Sequence, residues 1–437
     1  MIRVTPLRHC STPARAASAR VLATATVTIT AIALAMPPLP ATADWPAFRG
    51  PSHDGTAPEV PPFSGEFTTV WTAPTELGFS SFSVADGRAF TLVLREIEGN
   101  PMEVCVALNA ATGEELWAAP LGLARYDGGG NDGTRDNRGG DGPRSTPVID
   151  GNRVFVIDAQ LAVHCLQADS GDLVWQRDLV RDHNGRNIRW QNAASPLILD
   201  GRMFVAGGGD GEALMALDIN NGEVIWSGED DLMTHATPVP AVIHGVEQVV
   251  FFTQSGLVAV VPDDGEVLWR APYRFNVSTA ASPVVWEDIV YCSAGYGVGA
   301  GAFKISRDGD DWSAEELWRA DNRLFNHWST PVVVDGYLYG MYGFKQYGDG
   351  PVACVDIRTG EMKWEQEGFG PGQVILVGDQ LLAVSDIGEV VLIDVTPDGY
   401  RETARQKVLE GKVWSYPVLA GGHVFVRSTE QGVALAP

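Results

Sequence analysis

The chain has 437 residues, 45% of them hydrophobic, and carries 55 acidic against 31 basic side chains, a formal charge of −24. A surface this acidic repels phosphate backbones and anionic headgroups, which excludes charge-driven binding to nucleic acid or to a lipid surface. Five Cys, none adjacent to another, exclude a dense disulfide framework.

Residues 1–43 read as an export leader. Arg3, Arg8, Arg15 and Arg20 precede the apolar run Val21–Met36, and Ala41, Thr42 and Ala43 supply the small residues of a cleavage site. The run is too short and too Thr-rich for a membrane span. Taking the four leader Arg from 31 leaves 27 bases against 55 acids, a charge of −28 on residues 44–437. The expected location is the periplasm or the exterior, with no transmembrane segment in the mature chain. Residues 44–66, with Trp45, Phe48 and several Pro, predict an extended arm covering an apolar surface on the outside or one end of the fold. The strand at Phe67–Ala73, which carries Trp71, follows.

At Cys105–Trp117 comes a hairpin that the chain then repeats. Apolar residues alternate up to Leu108, Gly113 supplies the positive φ of a tight turn, and Trp117 closes the second strand. The same Gly-to-Trp offset of four returns at Gly171–Trp175, Gly222–Trp226, Gly265–Trp269 and Gly360–Trp364. Two copies are stretched: Gly309 to Trp318, and Gly399 to Val408, the last having lost its Trp. Successive Trp residues lie 43 to 58 positions apart, the period of one four-stranded propeller blade.

A second mark keeps the same period. Short polar segments ending in Pro open β-rich runs from Arg144, Asn192, His235, Thr279, Trp328 and Trp414, and runs near Phe82 and Gly372 fill the same slot without Pro. These marks predict an all-β, eight-bladed β-propeller of four-stranded antiparallel blades over residues 67–437. Its last blade lacks an outer strand, which the N-terminal Phe67–Ala73 segment supplies, closing the ring and removing the exposed edges. Cys105, Cys165, Cys292 and Cys354 sit on strands and read as small buried hydrophobes; Cys10 leaves with the leader.

The repeated strand–turn–G-x-x-x-W hairpin resembles the quinoprotein-type (PQQ-like) repeat family of β-propellers, which holds both PQQ-dependent dehydrogenases and the assembly factor BamB. The opening Asp44–Gly55 is similar to the start of secreted bacterial members of that family. The motif is a packing signature common to both branches, so it specifies the fold and not the activity. The enzyme branch implies a Trp floor for the quinone, an Asp base and Ca²⁺ held by Glu and Asn, often with a disulfide between adjacent Cys. The chain offers no adjacent Cys pair and no Glu at a channel entrance.

Positions just before each blade start ring one mouth of a propeller's channel, and here they are Ser81, Arg144, Asn192, His235, Thr279, His327, Trp328, Gln373 and Trp414. Arg pairs with carboxylates and Trp stacks on planar groups, so the ring suits a polar or anionic planar ligand such as PQQ. The same groups also suit one another, since buried polar atoms need partners with or without a ligand. Nearby Arg189–Gln191 and Arg323–Trp328 add cations and aromatics. The loop Tyr126–Arg144 offers Asp127, Asn131, Asp132, Asp136 and Asp141 as oxygen ligands for Ca²⁺, in a spacing that matches no repeat of known Ca²⁺ loops. The chain therefore reads as an exported, monomeric, non-catalytic binding or scaffolding module. Its expected partner is a protein or a small polar ligand, and the alternative is a PQQ-dependent oxidoreductase acting on alcohols or sugars.

Overall fold

The structure is a computed structural model that describes residues 44–57, 63, 65–126, 142–275, 279–343 and 345–437. Residues 1–43, expected to be a leader, and the Ca²⁺ candidates Asp127, Asn131, Asp132, Asp136 and Asp141 lie outside the described residues. Eight antiparallel sheets follow one another along the chain. Blade 1 runs Ser83–Ala85, Arg88–Ile97, Asn100–Asn109, Glu115–Leu123, from the channel outward. Blades 2 to 7 open at Val148, Leu197, Val239, Val284, Val332 and Gln373 with the same order of strands. Blade 8 takes Val418–Ala420, His423–Arg427 and Gln431–Ala436 from the end of the chain and its outer strand, Thr68–Pro74, from the beginning. The fold is an eight-bladed propeller closed by its N-terminal strand.

Each outer strand slips register by one residue at the position where Trp stands, as between Thr69 and Trp71 or between Leu173 and Trp175. This bulge turns the indole toward the following blade. There it covers the turn glycine and donates its N–H to a turn carbonyl. Trp71 binds Ala110 O at 2.9 Å, Trp117 Ala168 O at 3.1 Å, Trp175 Ile219 O at 2.9 Å, Trp226 Pro262 O at 3.0 Å and Trp318 Ile357 O at 2.8 Å. Trp269 differs and donates within its own blade to Gln248 Oε1 at 2.6 Å, because the long hairpin Gly299–Asp321 takes the place of a tight turn. Trp71 follows the rule in full, which makes its strand an authentic outer strand. In blade 7 the Trp equivalent is Ala404, which pairs with Leu392 at the bulge, and not Val408 as the spacing predicts. Gln406 compensates by exchanging two 2.9 Å hydrogen bonds with the backbone of Phe67.

A Cβ on Gly113 would lie 2.7 Å from the Trp71 ring, at φ +73°. Gly87 has the same φ and nothing within 4 Å. We predict that Gly113→Ala costs about 2–3 kcal/mol and Gly87→Ala about 1 kcal/mol, the difference being indole docking. Urea denaturation of both variants tests this, and equal losses would refute the docking account.

The extended arm enters the channel itself, where its expected place is the outside or one end of the ring. Trp45 is bridged to Val84, the Pro46 carbonyl accepts from Ile149 N at 2.8 Å, and Thr56–Ala57 adds a parallel strand to Leu376–Val377. Arg49 is buried and donates to Thr330 O at 2.6 Å, Pro331 O at 2.9 Å and Asp54 O at 2.5 Å. The inner strands are edges with unpaired groups, and these bonds satisfy several of them. Cys105, Cys165, Cys292 and Cys354 are buried and free.

Candidate functional site

The polar segments that end in Pro meet around the channel and bind one another. Ser81 N–H donates to Thr146 Oγ1 at 3.1 Å, Thr146 N–H to Ser195 Oγ at 2.9 Å and Ser195 N–H to Thr237 Oγ1 at 2.9 Å. Across the channel Ser282 N–H donates to Thr330 Oγ1 at 2.9 Å, Thr330 N–H to the Tyr416 hydroxyl at 2.5 Å and Tyr416 N–H to Ser81 Oγ at 2.8 Å. The residue before Pro thus ties each of these blades to a neighbour through a hydroxyl. Blade 7 has Gln373 in that place. Its amide donates to Trp328 O at 3.0 Å and Trp414 O at 2.8 Å, spanning the gap between the blades on either side.

Two residues further back, the side chains turn into the mouth. Arg144, Ala193, His235, Ala280, Trp328 and Trp414 each stand three positions before Pro, and Phe79 stands three before Phe82. All seven line one cavity of about 120 Å³, with Phe48 of the arm, Trp190, Tyr296 and His327. Of the sequence candidates the structure therefore brings together Ser81, Arg144, His235, His327, Trp328 and Trp414. Asn192 and Thr279 fall outside it because their blades carry one extra residue before Pro. Asn192 bonds Ala194 at both N and O, and Thr279 donates to Ser293 O at 2.8 Å. Gln373 is likewise buried in its structural role behind the mouth.

The rings form a belt. Trp414 stacks on Phe79 and on Trp328, each at 4.5 Å, and His327 stands edge-on to Trp328 at 5.1 Å and to Tyr296 at 5.0 Å. Tyr296 then stacks on Trp190 at 5.9 Å. Trp190 and Tyr296 come from loops and fill the space that Ala193 and Ala280 leave. The only sequence signal for them was the aromatic Arg189–Gln191 stretch and the small residues opposite. Burial holds His235 down at about 3, helped by the charge of Arg144, and holds His327 at about 3, helped by Lys345. Both are neutral at physiological pH, so the lining's positive charge is that of Arg144.

Behind Arg144 lies a buried acid. Glu103 accepts from the Tyr126 hydroxyl at 2.5 Å and from Ala159 N at 2.9 Å. Arg144 sits 5.1 Å over the Tyr126 ring and donates to the Trp190 carbonyl. Burial above all, and then the nearby Asp158 charge, raise Glu103 to about 7. It stands in the middle of a blade strand, where no motif marks it.

The family model described as outer membrane protein assembly factor BamB matches residues 101–325. This span is more than half of the chain. The chain belongs to the PQQ-like propeller family. It is 25% identical over 308 residues to the outer membrane protein assembly factor BamB of Yersinia pestis, covering 65% of this chain and 71% of that one. The Salmonella typhimurium protein of the same name is 26% identical over 299 residues, with the same coverage. The quinohemoprotein alcohol dehydrogenase of Comamonas testosteroni superposes with a TM-score of 0.62 at 11% identity, over 90% of this chain and 80% of its own; that likeness is one of fold. Among the described residues no helix is long and apolar enough to cross a membrane.

The enzyme branch implies PQQ with Ca²⁺. The residues lining the mouth include no carboxylate among those described, and no group of three acids, His or Cys there is placed to hold a metal. The candidate floor indoles, Trp328 and Trp414, already stack on each other. Among the described residues the donor set does not fit a Ca²⁺-bound quinone.

Proposed function

We propose that this PQQ-like propeller is exported after removal of residues 1–43 and acts without catalysis in the cell envelope, recognising a protein partner at the channel mouth and the loops around it. The observation that carries this reading is the aromatic and cationic mouth around a cavity that Phe48 of the chain's own arm helps to line. Stacked indoles, neutral His and a guanidinium recognise planar and polar groups by stacking and hydrogen bonding. Relatives whose name is outer membrane protein assembly factor favour a protein over a metabolite as the partner.

The test is photo-crosslinking in intact cells from Tyr296, which is 37% exposed at the mouth, against Val242, 64% exposed near the opposite turn of blade 4. The expected result is one discrete adduct from the mouth, identified by mass spectrometry as an envelope assembly protein, and none from Val242. Calorimetric titration with PQQ and Ca²⁺ runs beside it. Saturable binding with alcohol-driven dye reduction, and no adduct, would replace this reading with the oxidoreductase.

A further inference from the structure

The ties that close the ring fail at one seam. A hydroxyl in the slot before Pro joins blade 1 to 2, 2 to 3, 3 to 4, 5 to 6 and 8 to 1, and Gln373 joins blade 7 to both neighbours. Between blades 4 and 5 the equivalent bond would run from Thr237 N–H to Ser282 Oγ, and the Ser282 oxygen is buried with no partner. The indole lock is missing from the same seam. Trp269 donates inside its own blade, and a Cβ on Gly309, the turn glycine it would cover, meets nothing within 4 Å. Blade 7 lacks its Trp as well, but there Gln406 ties the seam to the Phe67 backbone.

Blades 4 and 5 are held together mainly by apolar contact among Phe252, Tyr273, Phe275, Cys292 and Phe303. Two bonds add to it at the periphery: His244 Nε2 donates to Ile305 O at 2.9 Å, and Arg319 donates to Pro272 O at 3.3 Å. Tyr273 is fully buried in this seam and its hydroxyl has no partner. Apolar contact is non-directional, and a buried polar atom left unpaired penalises the closed arrangement. Among the described residues the arm's bonds reach blades 1, 2, 6 and 7 and brace neither blade 4 nor blade 5. In a ring of eight, this seam stands opposite that of blades 8 and 1, which the N-terminal strand and the Arg427 guanidinium close.

We infer that the seam between blades 4 and 5 is the joint at which the ring opens, and that its opening widens the mouth. Thr237 and Ala280 stand on its two sides, and both line the mouth cavity of about 120 Å³. The seam also carries an open cleft of about 680 Å³, between Gln254 and Ser255 of blade 4 and Val298, Arg319 and Asp321 of blade 5. The closed cavity has room for little more than a single ring, an apolar cavity of about 150 Å³ being enough for benzene. Separation at this joint gives a larger segment a way in while the other seams keep their ties. The inference rests on the partner-binding reading for what enters, and on the ring's own bonds for where it opens.

The buried cysteines report on the seams without any substitution. Cys105 packs between blades 1 and 2, Cys165 between 2 and 3, Cys292 between 4 and 5, and Cys354 between 6 and 7. The purified protein is pulsed with iodoacetamide under native conditions, and alkylation of each thiol is followed by mass spectrometry. Opening at the joint should make Cys292 react at least ~10-fold faster than the other three. Reactivity without opening gives a different order, because burial raises the Cys292 thiol beyond those of Cys165 and Cys354, which stand at about 11. Ser195→Ala removes the bond between blades 2 and 3 and should speed Cys165 ~10-fold with Cys105 and Cys354 unchanged, whereas Ser282→Ala should leave Cys292 as it is. A Cys292 no faster than the rest, or one sped by Ser282→Ala, would overturn the inference. The measurement needs no partner. A fast Cys292 therefore upholds the joint even where the mouth yields no adduct, and a slow one removes the joint and leaves partner recognition standing.

Discussion

Arg427→Met is expected to destabilise the propeller by about 4 kcal/mol, lowering its melting temperature by about 5 °C for a chain of this length. Arg427 is 1% exposed on the second strand of blade 8. Its guanidinium donates to Thr91 Oγ1 at 2.8 Å and Leu92 O at 2.7 Å in blade 1, and to Thr75 O at 2.7 Å and Glu76 O at 2.9 Å where the closing strand leads into blade 1. No carboxylate joins these contacts, so burial pulls its pKa down to about 9, which still leaves it charged at neutral pH. Methionine fills similar volume but strands four buried acceptors, each costing about 1–3 kcal/mol less whatever water recovers. Arg427→Lys should fall between, because one ammonium cannot reach both blades. Chemical denaturation of the three proteins decides it. A loss under about 1 kcal/mol for Met would show that the seam between blades 8 and 1 is held by packing alone.

Glu103→Gln should stabilise the protein above neutral pH and leave it nearly unchanged in mild acid. The folded pKa of Glu103 is raised from 4.5 to about 7, chiefly by burial. A carboxyl with a raised folded pKa contributes its full stability below the unfolded value and loses it as pH rises through the folded one. At about 1.4 kcal/mol per pH unit, wild type should therefore lose up to about 3 kcal/mol between pH 4.5 and 7.5 from this group. Glutamine copies the protonated acid: its carbonyl accepts from Ala159 N and its amide faces the Tyr126 oxygen. Urea titrations at pH 5 and pH 8 should show the variant level with wild type at the first and about 1–3 kcal/mol more stable at the second. Equal destabilisation at both would mean that Glu103 stays ionised, held by Arg144 and Tyr126.

The propeller was legible because its packing rule is local. A bulge, an indole and a turn glycine recur at fixed offsets, and each copy needs only its neighbour. Trp71 could be assigned to the last blade for the same reason. The mouth was legible only to within a residue. In six of the eight blades Pro fixes the register of the inner strand, so the lining is found by counting back three from it; starting from the first polar residue instead points to Asn192 and Thr279, one step too early. Trp190 was marked only within the Arg189–Gln191 stretch, and Tyr296 and Phe48 were out of reach, because they arrive from a loop and from an arm whose direction no periodicity encodes. Ala404 was misplaced at Val408 because a lost Trp leaves no mark to count to. Glu103 sits in an ordinary strand alternation, and its unusual chemistry comes from its burial and from Asp158, which only the fold brings near.

The closing strand pairs residues 68–74 with 431–436, the first blade partner of the chain with the last. At about 5–20 residues per second, synthesis separates the two by roughly 20 s to more than a minute. Throughout that interval Trp71 has no edge to join, and for most of it the arm has neither blade 6 nor blade 7 to dock against. The molecule is thus finished in a single late event, and every earlier stage of its making leaves a sticky apolar strand in search of a partner.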